Sequence, residues 1–544
     1  MMAKLPVDSI KEIVKMDIIK CAMIVTLIRL SLNVPSNDAN TEPTPPIGLA
    51  YLASVCKQNG VTVHGIDASG RNINKIFKIP QYKFRGNGLE IKEIIDLIDP
   101  STKIIGVASM FSSEWPYVRD CINLLKEKFP KTMIVVGGEH ATALPEYNLR
   151  DCKGIDYIAL GEGEQTWAEI IQRKKLNQDI ENLDGLAFIK DGKFVKTKTR
   201  ERIKHIDKIP WPDWEVFPIE PYLDNAVGFG PGAGRNMPIL ATRGCPYECT
   251  FCSNPAMYGR RYFTRQVDDL IKEIKHYIEK YKITGLQFYD LTAIIKKGWI
   301  IEFCKALEQN NIHLEWSLPS GTRSEALDLD TLKALSKANL RYLVYAPESG
   351  SSECLTNIKK KIKLSNMEKS VKYAISQGIT VRTNLIIGFP YETRFQIYQT
   401  IFQQLKFAFM GVEDIPTYYF NAYPGTELFD SLVKEKKVII NDNFFIAEAD
   451  LSHYNIGPQI ISYNKYVGKY ELYIYRTLGM FLSYFISYLT RPKRIFRIVK
   501  SIFTDRSSTI VEQRIKDYLR KSKLFSNFVK PFVLKIFQKK AVNN

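Results

Sequence analysis

Short apolar runs rich in β-branched residues recur through the first third of the chain, each separated from the next by a stretch of helical periodicity. The runs read "CAMIVTLIRLSL", "VTVHGIDAS", "IIGVASM", "MIVVGGE" and "IDYIALGEGE"; "GLAYLASVCKQNG", "IKEIIDLIDP" and "WPYVRDCINLLKEKFP" lie between them. A strand apolar on both faces has no side to give to water, so these runs are parallel strands covered by helices above and below. That is a doubly wound, flavodoxin-like α/β domain, placed over residues 17–180. Ligands of such sheets bind beyond the carboxyl ends of the strands. Those ends are "VPSND", "ASG", "SMFSSEW", "GGEHATALPE" and "GEGEQTW".

A second alternation begins at "PILATRGC" and runs through "GLQFYDLT", "LEWSLPSG", "YLVYAPESG", "VRTNLIIGFP" and "PTYYFNAYPG". Six strands joined by right-handed helical crossovers curl into a partial (β/α)6 TIM-type barrel, placed over 237–435, with reactive groups at the strand carboxyl ends. The Pro- and Gly-rich stretch 181–236 reads as a linker. Residues 436–544 read as a helical, basic C-terminal region.

With 544 residues the chain has room for two or three domains. Its nine cysteines are an odd count, and six of them are scattered, which argues against a secreted disulfide framework and for a reducing cytoplasm. Lys4, Lys11, Lys15 and Lys20 precede an apolar run that Arg29 interrupts, too short for a signal or membrane span and better read as a buried first strand. The net charge of +18 is concentrated at the end: from residue 491 there are 15 Lys and Arg against Asp505, Glu512 and Asp517.

The loop after the first barrel strand, "ATRGCPYECTFCSNP", carries Cys245, Cys249 and Cys252. Three thiolates on so tight a loop can hold three corners of a cubane iron-sulfur cluster and leave the fourth iron open. The alternatives are three packing cysteines or a zinc site completed by a distant His, although zinc loops usually pair two-ligand knuckles and no second Cys or His pair lies nearby.

That spacing, with Phe251 before the third cysteine and the preceding "TRGCP", resembles the radical S-adenosylmethionine (SAM) superfamily. The N-terminal α/β domain resembles its cobalamin-binding subgroup, the likeness covering roughly residues 20–435. The resemblance implies a 4Fe-4S cluster on the three cysteines and SAM beside it. "APESG" resembles the fourth-strand motif, which implies that Glu348, Ser349 and Gly350 border SAM. "NLIIGFPYET" resembles the fifth-strand motif, which brings in Asn384 and Gly388, and "AYPGTELFD" the sixth-strand ending. "FYDLTAI" resembles an aromatic-Asp-Asp segment with Asp290 in place, though Leu291 stands where a second Asp is common. Arg323 is a candidate for the SAM carboxylate through a forked hydrogen bond, against a solvated loop arginine.

In the N-terminal domain the resemblance implies cobalamin contacts at Ser109, Gly137, Gly138, Glu139, Gly161, Glu162, Gly163 and Glu164. The glycines equally suit plain turns. The loop after the first strand has Asp38 but no Asp-x-His-x-x-Gly motif, so no lower axial histidine is expected, and His64 and His140 are expected to be structural or rim residues. The activity implied is reductive cleavage of SAM to a 5′-deoxyadenosyl radical, most simply in a cobalamin-dependent C-methyltransferase. A cobalamin-independent radical cyclase or coupling enzyme, or a non-enzymatic iron-sulfur or zinc protein, are the alternatives.

From Leu478 to Leu489 apolar residues recur at helical spacing (Leu478, Phe481, Leu482, Phe485, Ile486, Leu489), followed by Arg491, Lys493, Arg494, Arg497 and Lys500. A basic amphipathic helix of this kind fits an anionic membrane surface, or a helical cap packed on the barrel; nucleic acid would need aromatics exposed among the charges. The expected partners are therefore a small-molecule, lipid or isoprenoid-like substrate, a flavodoxin- or ferredoxin-type electron donor and a membrane surface, for a cytoplasmic enzyme peripheral to the membrane.

Overall fold

The computed structural model describes residues 23–36, 43–232, 234–452, 460–503 and 507–521. Asp38, the four N-terminal lysines and the tail beyond 521 lie outside the described residues. The first sheet has seven strands in the order Lys193–Lys196, Leu186–Lys190, Tyr157–Ala159, Met133–Gly137, Ile104–Ala108, Ile24–Arg29, Thr62–Asp67. The five strands from Tyr157–Ala159 to Thr62–Asp67 are parallel and reverse their winding at Ile24–Arg29, the flavodoxin-like order expected from sequence. Alternate residues feed opposite cores. Val25, Leu27 and Val135 pack on one side with helices Ile47–Gln58 and Gly163–Lys175. Ile28, Ile105, Val107, Ile134 and Val136 pack on the other with helix Trp115–Lys128. This two-sided burial is why the strands read as continuous apolar runs.

The second sheet holds six strands in chain order: Asn236–Ile239, Gly285–Phe288, Glu315–Thr322, Leu340–Glu348, Thr380–Ile387 and Thr417–Tyr419. All are parallel, and the helices between them cover one face. The sheet has first and last edges instead of closing, so the barrel is partial, as expected.

The stretch read as a linker is a more integral part of the molecule. Leu186–Lys190 and Lys193–Lys196 form a hairpin that extends the first sheet antiparallel. Beyond it, Trp214, Phe217, Ile219 and Tyr222 are buried in a cluster that runs without a break from Val25 and Trp167 to Phe288 and Trp316. Tyr222 donates to Asp67 at 2.7 Å, and Trp214 Nε1 donates to Tyr277 at 3.2 Å. Proline and glycine density did not mark an element-free linker here: the stretch holds the hairpin and the short helix Glu220–Asp224, and its aromatics make it the mortar between the two sheets.

His140 is buried, as expected of a structural residue. It lies 5.0 Å from the Trp115 ring and bonds Ser112 Oγ at 2.9 Å and Asn148 Oδ1 at 3.1 Å. Burial pushes its imidazole down to about 3. The folded protein therefore binds one proton fewer than the unfolded chain between about pH 6.5 and 3, and stability drains away as pH falls through that window. At pH 5 the loss is about 2 kcal/mol from this group. A His140→Gln variant will be less stable than wild type at pH 8, and thermal melts at successive pH values will show that deficit shrinking toward pH 5.

Candidate active site at the cysteine loop

The first barrel strand ends at Ile239, and a short antiparallel pair, Thr242–Arg243 with Phe263–Thr264, launches and closes the cysteine loop. The buried Asp290 carboxylate, at the end of the second strand, accepts from the Ala241 backbone at 3.1 Å, from the Thr242 backbone and from Thr242 Oγ1 at 2.5 Å. Burial pushes this carboxyl up to about 6, despite those donors. Asp290 thus anchors the root of the loop. The far side is tied by Thr250 N–H to Ile358 O at 3.1 Å and by Leu428 N–H to Thr250 O at 3.0 Å.

Cys245, Cys249 and Cys252 are half-buried and converge. Burial raises Cys249 and takes Cys252 up to about 12; negative charge on Cys245 adds to the first, and on Cys249 and Cys245 to the second. Thiols this close ionise more readily beside a cation, which is what a cluster supplies. Among the described residues no three Cys, His, Asp or Glu side chains, these thiols included, close around a single metal ion. Three facing thiols without a fourth protein donor fit a cubane with one open corner.

The residues expected beside SAM are brought to this mouth. Glu348 ends the fourth strand at φ 64°, a left-handed conformation that a non-glycine residue adopts at a cost. Its carboxylate meets Lys360 at 2.9 Å, and both side chains are 9% exposed. Burial opposes the Lys360 charge, but Glu348 and Cys249 outweigh it and hold the ammonium above its usual range. Lys360 carried no sequence signal, since "KKKIK" reads as a solvated run. Arg323 is buried, not a solvated arginine: its guanidinium lies 3.5 Å from the centre of the Tyr247 ring and bonds Glu325 and the Lys361 carbonyl. Phe251 packs edge-on against Phe389 at 5.7 Å.

Other motif residues are taken up by packing. Ser349 and Gly350 bond Thr400 at 3.0 and 3.1 Å, and a Cβ on Gly350 would come within 2.3 Å of the Gln399 carbonyl. Asn384 accepts from Arg382 at 2.8 Å. Gly388, at φ 89°, donates to Glu392 at 2.6 Å, with Leu472 of the C-terminal region where its Cβ would go. Leu291 is half exposed and takes no polar role.

The carboxyl edge of the first sheet lies against this loop. Ser109 is buried with its hydroxyl unpartnered, at the end of strand Ile104–Ala108. Gly137 has room for a Cβ, which would rest in ordinary contact 3.7 Å from the Ala159 carbonyl. Gly138 has φ 115°, and a Cβ there would strike the Ser109 carbonyl at 2.4 Å. An orphaned hydroxyl beside a pair of glycines that bare the backbone fits close approach of a bulky, polar-rimmed ligand. Glu139 accepts a hydrogen bond from Ser253 Oγ, one residue past Cys252, and Gly161, at φ 69°, backs onto the Met257 carbonyl. A Cβ on Gly163 would rest 3.3 Å from Leu52.

Glu162 and Glu164, expected at cobalamin, instead spend their carboxylates on arginines. Glu164 pairs with Arg243 at 2.6 Å, and Glu162 pairs with Arg243 at 3.3 Å and Arg202 at 2.5 Å. Arg243 lies two residues before Cys245, so this buried clasp fixes the first sheet to the root of the cysteine loop. Sequence placed the carboxylates at the right edge but could not name their partners. An Arg243→Met variant will lose about 3 to 5 kcal/mol in urea denaturation, because it strands the Glu164 charge. The double variant with Glu164→Gln will recover more than half of that loss.

The family model of the Radical SAM superfamily matches residues 239–403, and that of the B12 binding domain matches residues 41–171. An uncharacterized methyltransferase of Pyrococcus horikoshii is 27% identical over 88% of this chain and 94% of its own length. Cytidylyl-2-hydroxyethylphosphonate methyltransferase of Streptomyces wedmorensis is 26% identical over 64% of this chain and 69% of its own. Among solved structures, the radical S-adenosylmethionine methyltransferase TsrM from Kitasatospora setae, with cobalamin and a 4Fe-4S cluster bound, shares the fold. Its TM-score is 0.59 at 15% identity, covering 76% of this chain and 78% of that one. One family model lies over the barrel and the other over the first sheet: the chain carries a radical SAM domain together with a B12-binding domain.

Proposed function

We propose that the protein is a cobalamin-dependent radical SAM C-methyltransferase acting on a lipid or isoprenoid-like substrate. The observation that carries the reading is the direct abutment of the two candidate cofactor sites, where Glu139 beside the Gly137–Gly138 cradle meets Ser253 beside Cys252. A cyclase that used the barrel alone would not need them joined.

When bound, a 4Fe-4S cluster and cobalamin would supply the electron that cleaves SAM to a 5′-deoxyadenosyl radical and the methyl group to be transferred. The chain's own contribution is position and exclusion. Cys245, Cys249 and Cys252 would hold the cluster, with the Asp290 and Arg243 anchors keeping their loop rigid. The buried Lys360 ammonium beside Cys249 lowers the cost of negative charge on the thiolates. Glu348, fixed by Lys360 in a conformation with stored strain, would present its backbone and remaining carboxylate oxygen to SAM. Ser109, Gly137 and Gly138 would receive cobalamin. A surface cleft reaches Cys249 and Cys252 from outside, between Arg260, Lys359 and Glu427, and would give a flavodoxin- or ferredoxin-type donor close access.

Protein purified without oxygen and reconstituted with iron and sulfide will release 5′-deoxyadenosine from SAM under reductant. Cys245→Ala, Cys249→Ala and Cys252→Ala will each lose most of their iron and the release with it. Reconstitution with hydroxocobalamin will leave about one cobalamin per chain by visible absorbance. Gly137→Leu, which fills the cradle, will lower that content at least tenfold while iron stays unchanged. Iron-dependent release with no cobalamin retained by wild type would reassign the protein as a cyclase or coupling enzyme, and zinc in place of iron would end the radical reading.

A further inference from the structure

Helix Lys469–Thr490 is built the wrong way round for a helix in water. Apart from Leu472 near its start, the face it buries is small or polar, with Arg476, Gly479, Ser483 and Ser487. Arg476 Nε donates to the Thr417 carbonyl at 2.8 Å, and Ser483 donates to Gly479 O at 2.8 Å. Gly479 lets Gln404 approach so closely that a Cβ would lie 2.8 Å from its amide oxygen. The face left outside carries Tyr470, Ile474, Leu478, Phe481, Phe485 and Leu489, each between 52% and 68% exposed.

Its neighbour, barrel helix Arg394–Met410, seats Ile397, Phe407 and Ala408 in the core but fills the rest of its buried face with Gln396, Thr400, Gln403 and Gln404, and it exposes Phe395, Tyr398, Phe402 and Phe409. The two helices are joined along their length, by Arg394 to Glu471 at 2.6 Å and by the Tyr398 and Tyr475 hydroxyls at 2.9 Å. Their outward faces therefore lie side by side and carry ten large apolar or aromatic side chains, an exposed cluster of the kind that marks a contact surface. The next helix, Lys493–Phe503, adds Phe496, 75% exposed.

We propose that this two-helix face docks the protein on an anionic lipid surface, with the helices lying in the plane of the interface. Charge selects that occupant. Between Lys469 and Arg491 the exposed positions of the helix carry no charge, and its acid, Glu471, is neutralised by Arg394. Exposed Lys469 stands at one end and exposed Lys493 at the other, where the chain turns strongly basic. An apolar field rimmed by lysine matches acyl chains beneath acidic headgroups. A second copy would bring a chain of net charge +18 against itself. Among the described residues no helix is long and apolar enough to cross a membrane, so the contact is interfacial. The docking surface stands independently of the reaction proposed for the barrel.

Flotation of the full chain with vesicles tests it, in the absence of SAM and reductant. Wild type will float with phosphatidylcholine vesicles that contain phosphatidylglycerol, and far less with phosphatidylcholine alone. High salt will weaken the association. The double variant Phe481→Ser, Phe485→Ser, changed only at exposed positions and checked by its melting temperature, will bind at least tenfold more weakly. Wild type that fails to float with the anionic vesicles, or that floats no better than the double variant, overturns the proposal. So does a dimer in sedimentation that the double variant abolishes while vesicle binding is absent. Intact flotation without methyl transfer would count against the reaction alone.

Discussion

The buried ion cluster of Glu162, Glu164, Arg202 and Arg243 is the constraint on which the working geometry rests. Each of its four side chains is 12% exposed or less, so none can be left unpaired without a large desolvation cost. Because two of them project from the carboxyl edge of the first sheet and one sits at the root of the cysteine loop, satisfying the charges forces those two places together. The aromatic strap through Trp214, Phe217 and Tyr222 supplies apolar area behind the clasp, where the two sheets share one core. Ions set the register, and burial supplies the adhesion.

The cysteine loop illustrates a division of labour. Its thiols are chemically prepared by what surrounds them: burial discourages charge, Lys360 offsets part of that discouragement, and Asp290 and the Thr250 backbone contacts remove freedom from the chain that carries them. Family motifs pointed to Asp290 and Glu348, and in the structure Asp290 holds the backbone at the loop's root while Glu348 pairs with Lys360. Ser349 and Gly350 bring the fourth-strand turn up against helix Arg394–Met410, which is also half of the exposed apolar face. The exposed apolar face and the mouth of the barrel are thereby built on the same helix.

The C-terminal region shows how hydrophobic periodicity can be read correctly and still mislead about direction. The spacing of Leu478, Phe481 and Phe485 marks a helix, and a helix is there. Sequence left two alternatives, an interfacial helix or a cap on the barrel. The structure shows the cap: Leu472 and the small and polar stripe of Arg476, Gly479, Ser483 and Ser487 pack inward, and the apolar stripe faces out. A periodic pattern gives two faces, and only the partner decides which is inside.

By itself the sequence determined the element alternation, both parallel sheets in their strand order, and the three thiols on one loop, because strand patterning, crossover handedness and short-range spacing are local properties of the chain. It did not determine that Glu162 and Glu164 face arginines, that Lys360 sits beside Cys249, that residues 206–224 are buried mortar, or that two helices turn their aromatics outward. Those facts depend on partners 40 to 110 residues away, or more, in the chain. Pairing over such distances is fixed by the packing of whole elements and leaves no mark in the spacing of residues along one of them.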